Sequence, residues 1–156
     1  MITIEVPARG TLRISKLVLD YNGTIAMDGA LARGVSERIH RLSRAIGDIV
    51  VVTADTYGTV ARVCAELPVR VVTFPSGEAA GEKARIVRSL GGEVCCMGNG
   101  YNDRLMFDAA ALSIAVMDAE GTSAALLPHA DILARSAAEA LDLLLNVDRM
   151  RATLRG

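Results

Sequence analysis

Apolar residues in this chain fall in short runs, and the segments between the runs carry apolar positions at helical spacing. The runs lie at residues 17–19, 49–52, 69–74, 94–97, 113–116 and near Ile132, with apolar side chains at successive positions rather than alternate ones. That pattern predicts strands covered on both faces. The intervening windows 36–46, 58–67, 78–90, 102–110, 123–127 and 137–145 predict helices. A further pair of short strands, 2–6 and 12–14 around Ala8-Arg9-Gly10, reads as a terminal hairpin. Doubly covered strands separated by single helices imply βαβ units with right-handed crossovers. The expected fold is therefore α/β: a three-layer Rossmann-like sandwich with a mostly parallel sheet and no cap domain. At 156 residues the chain is expected to form one domain spanning 1–156, with 148–156 as a loosely held tail.

Composition narrows this picture. Hydrophobic residues make up 51% of the chain and aromatics only 3%, so the core is expected to be aliphatic. Seventeen basic against eighteen acidic residues give a net charge of −1 with no long run of either sign, which predicts no nucleic-acid or membrane partner. No apolar run approaches the roughly 20 residues that span a bilayer. The three cysteines, Cys64, Cys95 and Cys96, fit neither a disulfide framework nor a zinc spacing, and a cytoplasmic location is expected. Adjacent Cys95 and Cys96 read as small apolar residues of one strand.

In open α/β sheets ligands bind beyond the carboxyl ends of the strands. Polar residues collect at four such places: Asp20 directly after the first covered run, Thr53 after the second, Lys83 early in the third helix window, and Asp103 after Gly98-Asn99-Gly100. A carboxylate after a strand is commonly a turn former, and a helix lysine is commonly surface. Together, however, the four match what phosphoryl transfer requires: a nucleophile, a hydroxyl and backbone donors for phosphate oxygens, a fixed cation, and oxygen ligands for a divalent metal. His40 and His129 lie away from these strand ends and read as surface residues.

Asp20-Tyr21-Asn22-Gly23-Thr24 resembles the DxDGT first motif of haloacid dehalogenase-like hydrolases and the DKTGT phosphorylation motif of P-type ATPases. Thr53-Ala54-Asp55-Thr56-Tyr57-Gly58-Thr59-Val60 is similar to the TGDNxxTA segment of P-type ATPases. Gly98 to Asp103 is similar to their GDGxND segment, with Lys83 standing between the two. The resemblance implies a Mg²⁺-dependent phosphohydrolase or phosphotransferase that forms an aspartyl phosphate on Asp20, with Thr53 and Lys83 holding the phosphoryl group and Asn22 at the acid/base position. It further implies phosphate contacts from Tyr21, Asn22, Gly23, Ala54 and Asn102, and metal ligation by Asp20, the Asn22 carbonyl, Asn99 and Asp103.

Two departures bear on activity. Asn22 stands where the family's phosphatases carry an acid/base Asp, and a carboxamide cannot transfer protons in that way. Asn99 stands where the family presents a metal-binding Asp, which lowers the charge of the metal site. Slow turnover is the expectation; the alternatives are a non-catalytic phosphate-binding or assembly module and a receiver-type switch. The intervals between motifs hold one βα unit each, leaving no room for a cap or a nucleotide-binding insert. Met27-Asp28-Gly29-Ala30 reads as the tip of a small hairpin flap. An uncapped site suggests a homo-oligomer in which a second copy covers it.

Overall fold

The computed structural model describes residues 1–55 and 58–156. Thr56 and Tyr57, part of the motif that begins at Thr53, lie outside the described residues.

Six strands form one parallel sheet. They are β3 (Lys16–Asp20), β6 (Asp48–Thr53), β7 (Arg70–Thr73), β8 (Val94–Gly98), β9 (Leu112–Val116) and β10 (Ile132–Ala134), in the spatial order β10-β9-β8-β3-β6-β7. The order turns at β3, which pairs with β8 on one side and β6 on the other. That central place buries every residue of β3 except Lys16, which is half-buried. Two small antiparallel hairpins accompany the sheet: β1 (Ile2–Val6) with β2 (Gly10–Ile14), and β4 (Ala26–Met27) with β5 (Ala30–Leu31). In the second, Asp28 and Gly29 both have positive φ, 50° and 81°. That backbone is what a two-residue hairpin connection requires, and the Asp-Gly pair supplies it.

Alternation along the strands sorts the core into two layers. Leu17, Leu19, Ile49, Val51, Cys95, Met97, Ile114 and Val116 face one side. There they meet α1 (Val35–Leu42), α5 (Ala137–Leu145), α6 (Val147–Leu154) and the terminal hairpin. Val18, Val50, Val52, Cys96 and Ala115 face the other, against Ile86 and Val87 of α3 (Ala79–Leu90) and Met106 and Phe107 of α4 (Arg104–Asp108). The short helix α2 (Thr59–Val63) follows β6. All three cysteines are free and buried, and Cys95 and Cys96 point to opposite layers as neighbours on one strand must.

Helices in the outer parts of the fold are shorter than the periodicity predicts. The 102–110 window splits into a 3₁₀ turn, Tyr101–Asp103, followed by α4, and the 123–127 window is a 3₁₀ helix over Ala124–His129 with Pro128 inside it. Between β3 and β6 the chain holds only the β4–β5 hairpin and α1, so no cap domain stands over the sheet.

The expected tail is corrected by the structure: most of residues 148–156 form α6. Val147, Met150 and Leu154 recur at helical spacing, and Met150 and Leu154 are buried against the terminal hairpin. Arg151 Nε donates to the Glu5 carbonyl at 3.1 Å and Arg9 Nη1 to the Leu154 carbonyl at 3.4 Å. The stripe is narrow and lies among Asp148, Arg149, Arg151 and Arg155, which makes the segment read as solvated until the hairpin it covers is in place.

If α6 is part of the core, Met150→Ala should destabilise the protein by about 2–4 kcal/mol in urea titrations, the usual cost of emptying a buried methionine site. The control Arg149→Ala, on the exposed side, should stay within about 0.5 kcal/mol. A Met150→Ala loss as small as the control's would return residues 148–156 to the status of a tail.

Candidate active site

Parallel pairing in register brings the carboxyl ends of β3, β6 and β8 to one edge, where Asp20, Thr53 and Gly98 end their strands. A cavity of about 260 Å³ opens there, lined by Asp20, Asn22, Thr53, Ala54, Phe74, Lys83, Asn99, Gly100 and Asn102. Eight of these nine residues belong to the segments singled out in the sequence. The ninth is Phe74, just past β7, whose ring packs into the core layer under the site.

Lys83 is the centre of the arrangement. It sits in the second turn of α3 with its side chain 3% exposed, and its ammonium donates to Asp20 Oδ1 at 2.6 Å, Asp103 Oδ1 at 2.6 Å and Asn102 Oδ1 at 3.3 Å. Three acceptors meet its three N–H groups, so a buried lysine is fully satisfied. Burial opposes the charge, but the two carboxylates and their hydrogen bonds outweigh it and hold the Lys83 ammonium above its ordinary range. For Asp20, burial dominates, Asp103 repels it as well, and Lys83 with the Thr24 hydroxyl pulls the other way; the carboxyl is pushed up to about 7. Burial is the first cause, and the charge count adds to it, since one lysine between two buried carboxylates leaves the cluster one positive charge short.

Asp103 is committed to the protein itself. Its Oδ1 accepts from Lys83, and its Oδ2 accepts from the backbone N–H groups of Asn99 at 3.0 Å and Gly100 at 2.8 Å. A Cβ on Gly98 would lie 2.6 Å from Asp103 Cγ, so only glycine at 98 admits this carboxylate. In this geometry Asp103 holds the Asn99-Gly100 turn against Lys83, and it does not line the cavity.

Thr24 joins the first and last motifs. Its hydroxyl lies 3.0 Å from Asp20 Oδ2 and 3.1 Å from Asn99 Oδ1, fully buried. One hydroxyl hydrogen faces two acceptors, so Thr24 can donate to only one of them at a time. Asn99 Nδ2 donates to the Gly121 carbonyl at 3.0 Å, and the Asn99 carbonyl accepts from Ser123 N at 2.8 Å. Thr24 is the last residue of the first motif, and this contact between Asp20 and Asn99 is a role that the motif resemblance does not imply.

The remaining predicted residues divide by where they point. Thr53 is buried, and its Oγ1 accepts from Asp55 N at 3.2 Å, which leaves its O–H to donate into the cavity. Asp55 Oδ2 accepts from Val60 N at 2.8 Å, holding the start of α2. Tyr21 turns away from the cavity into the core, where its hydroxyl donates to the Gly29 carbonyl at 2.9 Å and ties the flap hairpin to the first motif. Its side chain is thus structural, and only its backbone remains available to a phosphate. Gly23 has φ 74°, the left-handed turn its place in the motif requires. His40 and His129 are remote from the cavity: His40 Nδ1 lies by the Ser36 carbonyl and His129 Nδ1 by Asp108.

A hard divalent cation suits the donor set. Asp20, Asn22 and Asn99 line the same cavity, their oxygens are hard ligands, and the cluster lacks positive charge. Among the described residues, no three His, Cys, Asp or Glu converge as a metal cluster. Asn99 and the engagement of Asp103 explain this, since they leave Asp20 as the one carboxylate among the described residues that lines the cavity.

No family model matches the chain. An uncharacterized protein of Methanocaldococcus jannaschii is 40% identical over 63 residues, spanning 40% of this chain and 68% of that protein. Among solved structures, the cobalt-bound deoxy-D-mannose-octulosonate 8-phosphate phosphatase of Haemophilus influenzae superposes with a TM-score of 0.71 at 16% identity, over 92% of this chain and 94% of that one. The 3-deoxy-D-manno-octulosonate 8-phosphate phosphatase of Moraxella catarrhalis, in complex with magnesium, phosphate and the sugar acid, gives 0.71 at 15% identity over 91% and 94%. A protein of Streptomyces avermitilis assigned to the HAD family of hydrolases gives 0.66 at 19% identity over 84% and 82%. No helix among the described residues is long and apolar enough to cross a membrane.

Because burial raises Asp20, the folded protein keeps a proton that the unfolded chain releases near pH 4. Without metal, the stabilisation this gives is complete below about pH 4 and is lost as pH rises through about 7. Thermal melts in EDTA should show that decline, and Asp20→Asn, which cannot ionise, should flatten it. An equal slope in both proteins would remove Asp20 as the group responsible.

Proposed function

We propose that this chain, which has the fold of the haloacid dehalogenase-like hydrolases and belongs to one family with the Methanocaldococcus jannaschii protein, is a slow Mg²⁺-dependent phosphohydrolase or phosphotransferase working through Asp20. The observation that carries this reading is Lys83, buried and 2.6 Å from Asp20 at the floor of an open cavity, with the Thr53 hydroxyl in the same wall.

The chain's own residues support the following steps. Lys83, exchanging its long 3.3 Å contact to Asn102 for a phosphate oxygen, and the Thr53 hydroxyl hold an incoming phosphoryl group, and an Asp20 carboxylate oxygen attacks phosphorus as the bond to the leaving oxygen breaks. Mg²⁺, held by Asp20, the Asn22 carbonyl and Asn99, would offset the repulsion between two anions, the carboxylate and the phosphate. The shortage of positive charge around Asp20 and Asp103 is the feature that favours such an ion. Asn22 is exposed at the cavity mouth, where it can hydrogen-bond but cannot supply a proton to the leaving group or remove one from water. The leaving oxygen then takes its proton from solvent, and the aspartyl phosphate waits for unassisted hydrolysis. Such persistence is what the resemblance to P-type ATPases implies.

The substrate is a phosphorylated compound. Phosphatases acting on a sugar-acid phosphate share the fold, which makes small phosphomonoesters the first to test. Because no cap closes the site, we expect a second copy of the chain to cover part of it. Sedimentation at micromolar concentration should show an oligomer, and a monomer with full activity would end that expectation.

Incubation with acetyl phosphate and Mg²⁺ should label Asp20 as an acid-stable, hydroxylamine-sensitive acyl phosphate, absent from Asp20→Asn and strongly reduced in Lys83→Met. Asn22→Asp restores a proton-transfer group, a function worth about 10² to 10⁴-fold in rate, and should shorten the lifetime of the phosphoenzyme accordingly. Absence of label in a wild-type protein that binds Mg²⁺ would favour a non-catalytic phosphate-binding module.

A further inference from the structure

The turn after β9 carries a carboxylate that no motif contains. Gly121 N donates to the Asp118 carbonyl at 2.7 Å, and Gly121 has φ 75°, so 118–121 is a tight turn with Glu120 near its apex. Asn99 fastens this turn to the site from two points, through its side chain to the Gly121 carbonyl and through its own carbonyl to Ser123 N. Glu120 is thereby laid over the first motif. A Cβ built on Gly23 would overlap Asn99 Nδ2 and would lie 2.8 Å from Glu120 Oε2, so the amide and the carboxylate sit side by side above that glycine.

Glu120 has no hydrogen bond or ion pair to any described residue. An exposed carboxylate ordinarily serves only solvation. This one stands beside the neutral residue that occupies a metal-ligand position, while Asp103 is engaged by Lys83 and two backbone N–H groups. The amide at 99 is itself set by its surroundings: an Asp there would turn a carboxylate oxygen toward the Gly121 carbonyl and place a second negative charge next to Glu120. An Asn at 99 with a Glu at 120 therefore keeps one negative charge beside Asn99 above Gly23, just outside the cavity lining and carried by a different residue.

We propose that Glu120 contributes to Mg²⁺ affinity the carboxylate charge that Asn99 lacks. The inference rests on the Mg²⁺-dependent reading above and adds a residue to it. Mg²⁺ commonly keeps several of its waters and is held by one or two carboxylates, so a carboxylate beside the ligating residues strengthens binding without needing to touch the ion. Glu120 acts through its charge beside Asn99, and it makes no contact with the reacting atoms.

Isothermal titration of the full chain with MgCl₂ tests the proposal, using wild type, Glu120→Gln, Glu120→Asp, Asp20→Asn and Glu66→Gln, the last an exposed carboxylate beyond α2. Glu120→Gln should weaken Mg²⁺ binding about tenfold, the low end of the 10 to 100-fold loss seen when groups supporting metal ligands are removed. Glu120→Asp should retain part of the affinity, Glu66→Gln should bind as wild type, and all three Glu variants should melt in EDTA at the wild-type temperature. Wild-type affinity in Glu120→Gln, with binding lost in Asp20→Asn, would overturn the role of Glu120 while leaving the metal-dependent reading intact. A loss in Glu66→Gln equal to that in Glu120→Gln would overturn it too, since net charge alone would then account for the effect. Absence of Mg²⁺ binding in the wild type would end both.

Discussion

Everything at the carboxyl edge of the sheet depends on one buried ammonium held between two carboxylates. Lys83 reaches from α3 to Asp20 on β3 and to Asp103 after β8, and so ties the two sides of the central strand together across the layer boundary. A buried ion pair of this kind is weak evidence for stability, because desolvation consumes much of the Coulombic gain. Its value lies in position. With all three N–H groups matched, Lys83 holds the Asp20 carboxylate at the floor of the cavity, and the surplus negative charge makes the site receptive to a proton or a cation.

The second constraint is the crowding around Gly23 and Gly98. One glycine gives room to Asn99 and Glu120, the other to Asp103. At Gly23 the loop after β3 is crossed by the loops after β8 and β9, whereas at Gly98 the chain after β8 folds back on its own strand end. Asn99 exploits this closeness: its amide and carbonyl bind Gly121 and Ser123 while its oxygen faces Thr24. Seen this way, the amide at 99 is a fastening between three loops, and its neutrality is what allows it to donate to a carbonyl. Asn22 is different. It is exposed at the cavity mouth, and nothing around it demands a carboxamide.

The division between sequence and tertiary structure follows from the range of the forces involved. The strand runs were legible because full burial on both faces forces continuous apolar residues, and all six sheet strands lie where those runs fall. The motif residues were legible because a parallel sheet sends every strand end to one edge, so Asp20, Thr53, Lys83 and Asn99 could be gathered without knowing any distance. Helix α6 was not legible, since a narrow apolar stripe among charges becomes a core element only once the β1–β2 hairpin lies beneath it.

The chain by itself therefore determined the fold class and the motif segments that meet at one sheet edge, because both follow from periodicity and from chain direction, but Thr24, Phe74 and Glu120 joined them only in the folded protein. It could not determine what each polar group does there. Asp103 accepts from Lys83, which approaches from another segment, and from the backbone N–H groups of Asn99 and Gly100 in its own loop. Tyr21 can face a phosphate or a flap, and the Gly29 carbonyl decided it. Glu120 had no motif to reveal it, and it adjoins the site through packing against Gly23, 97 positions earlier in the chain. Hydrogen bonds and charges act over a few ångströms in space, and that proximity exists only once the sheet has formed.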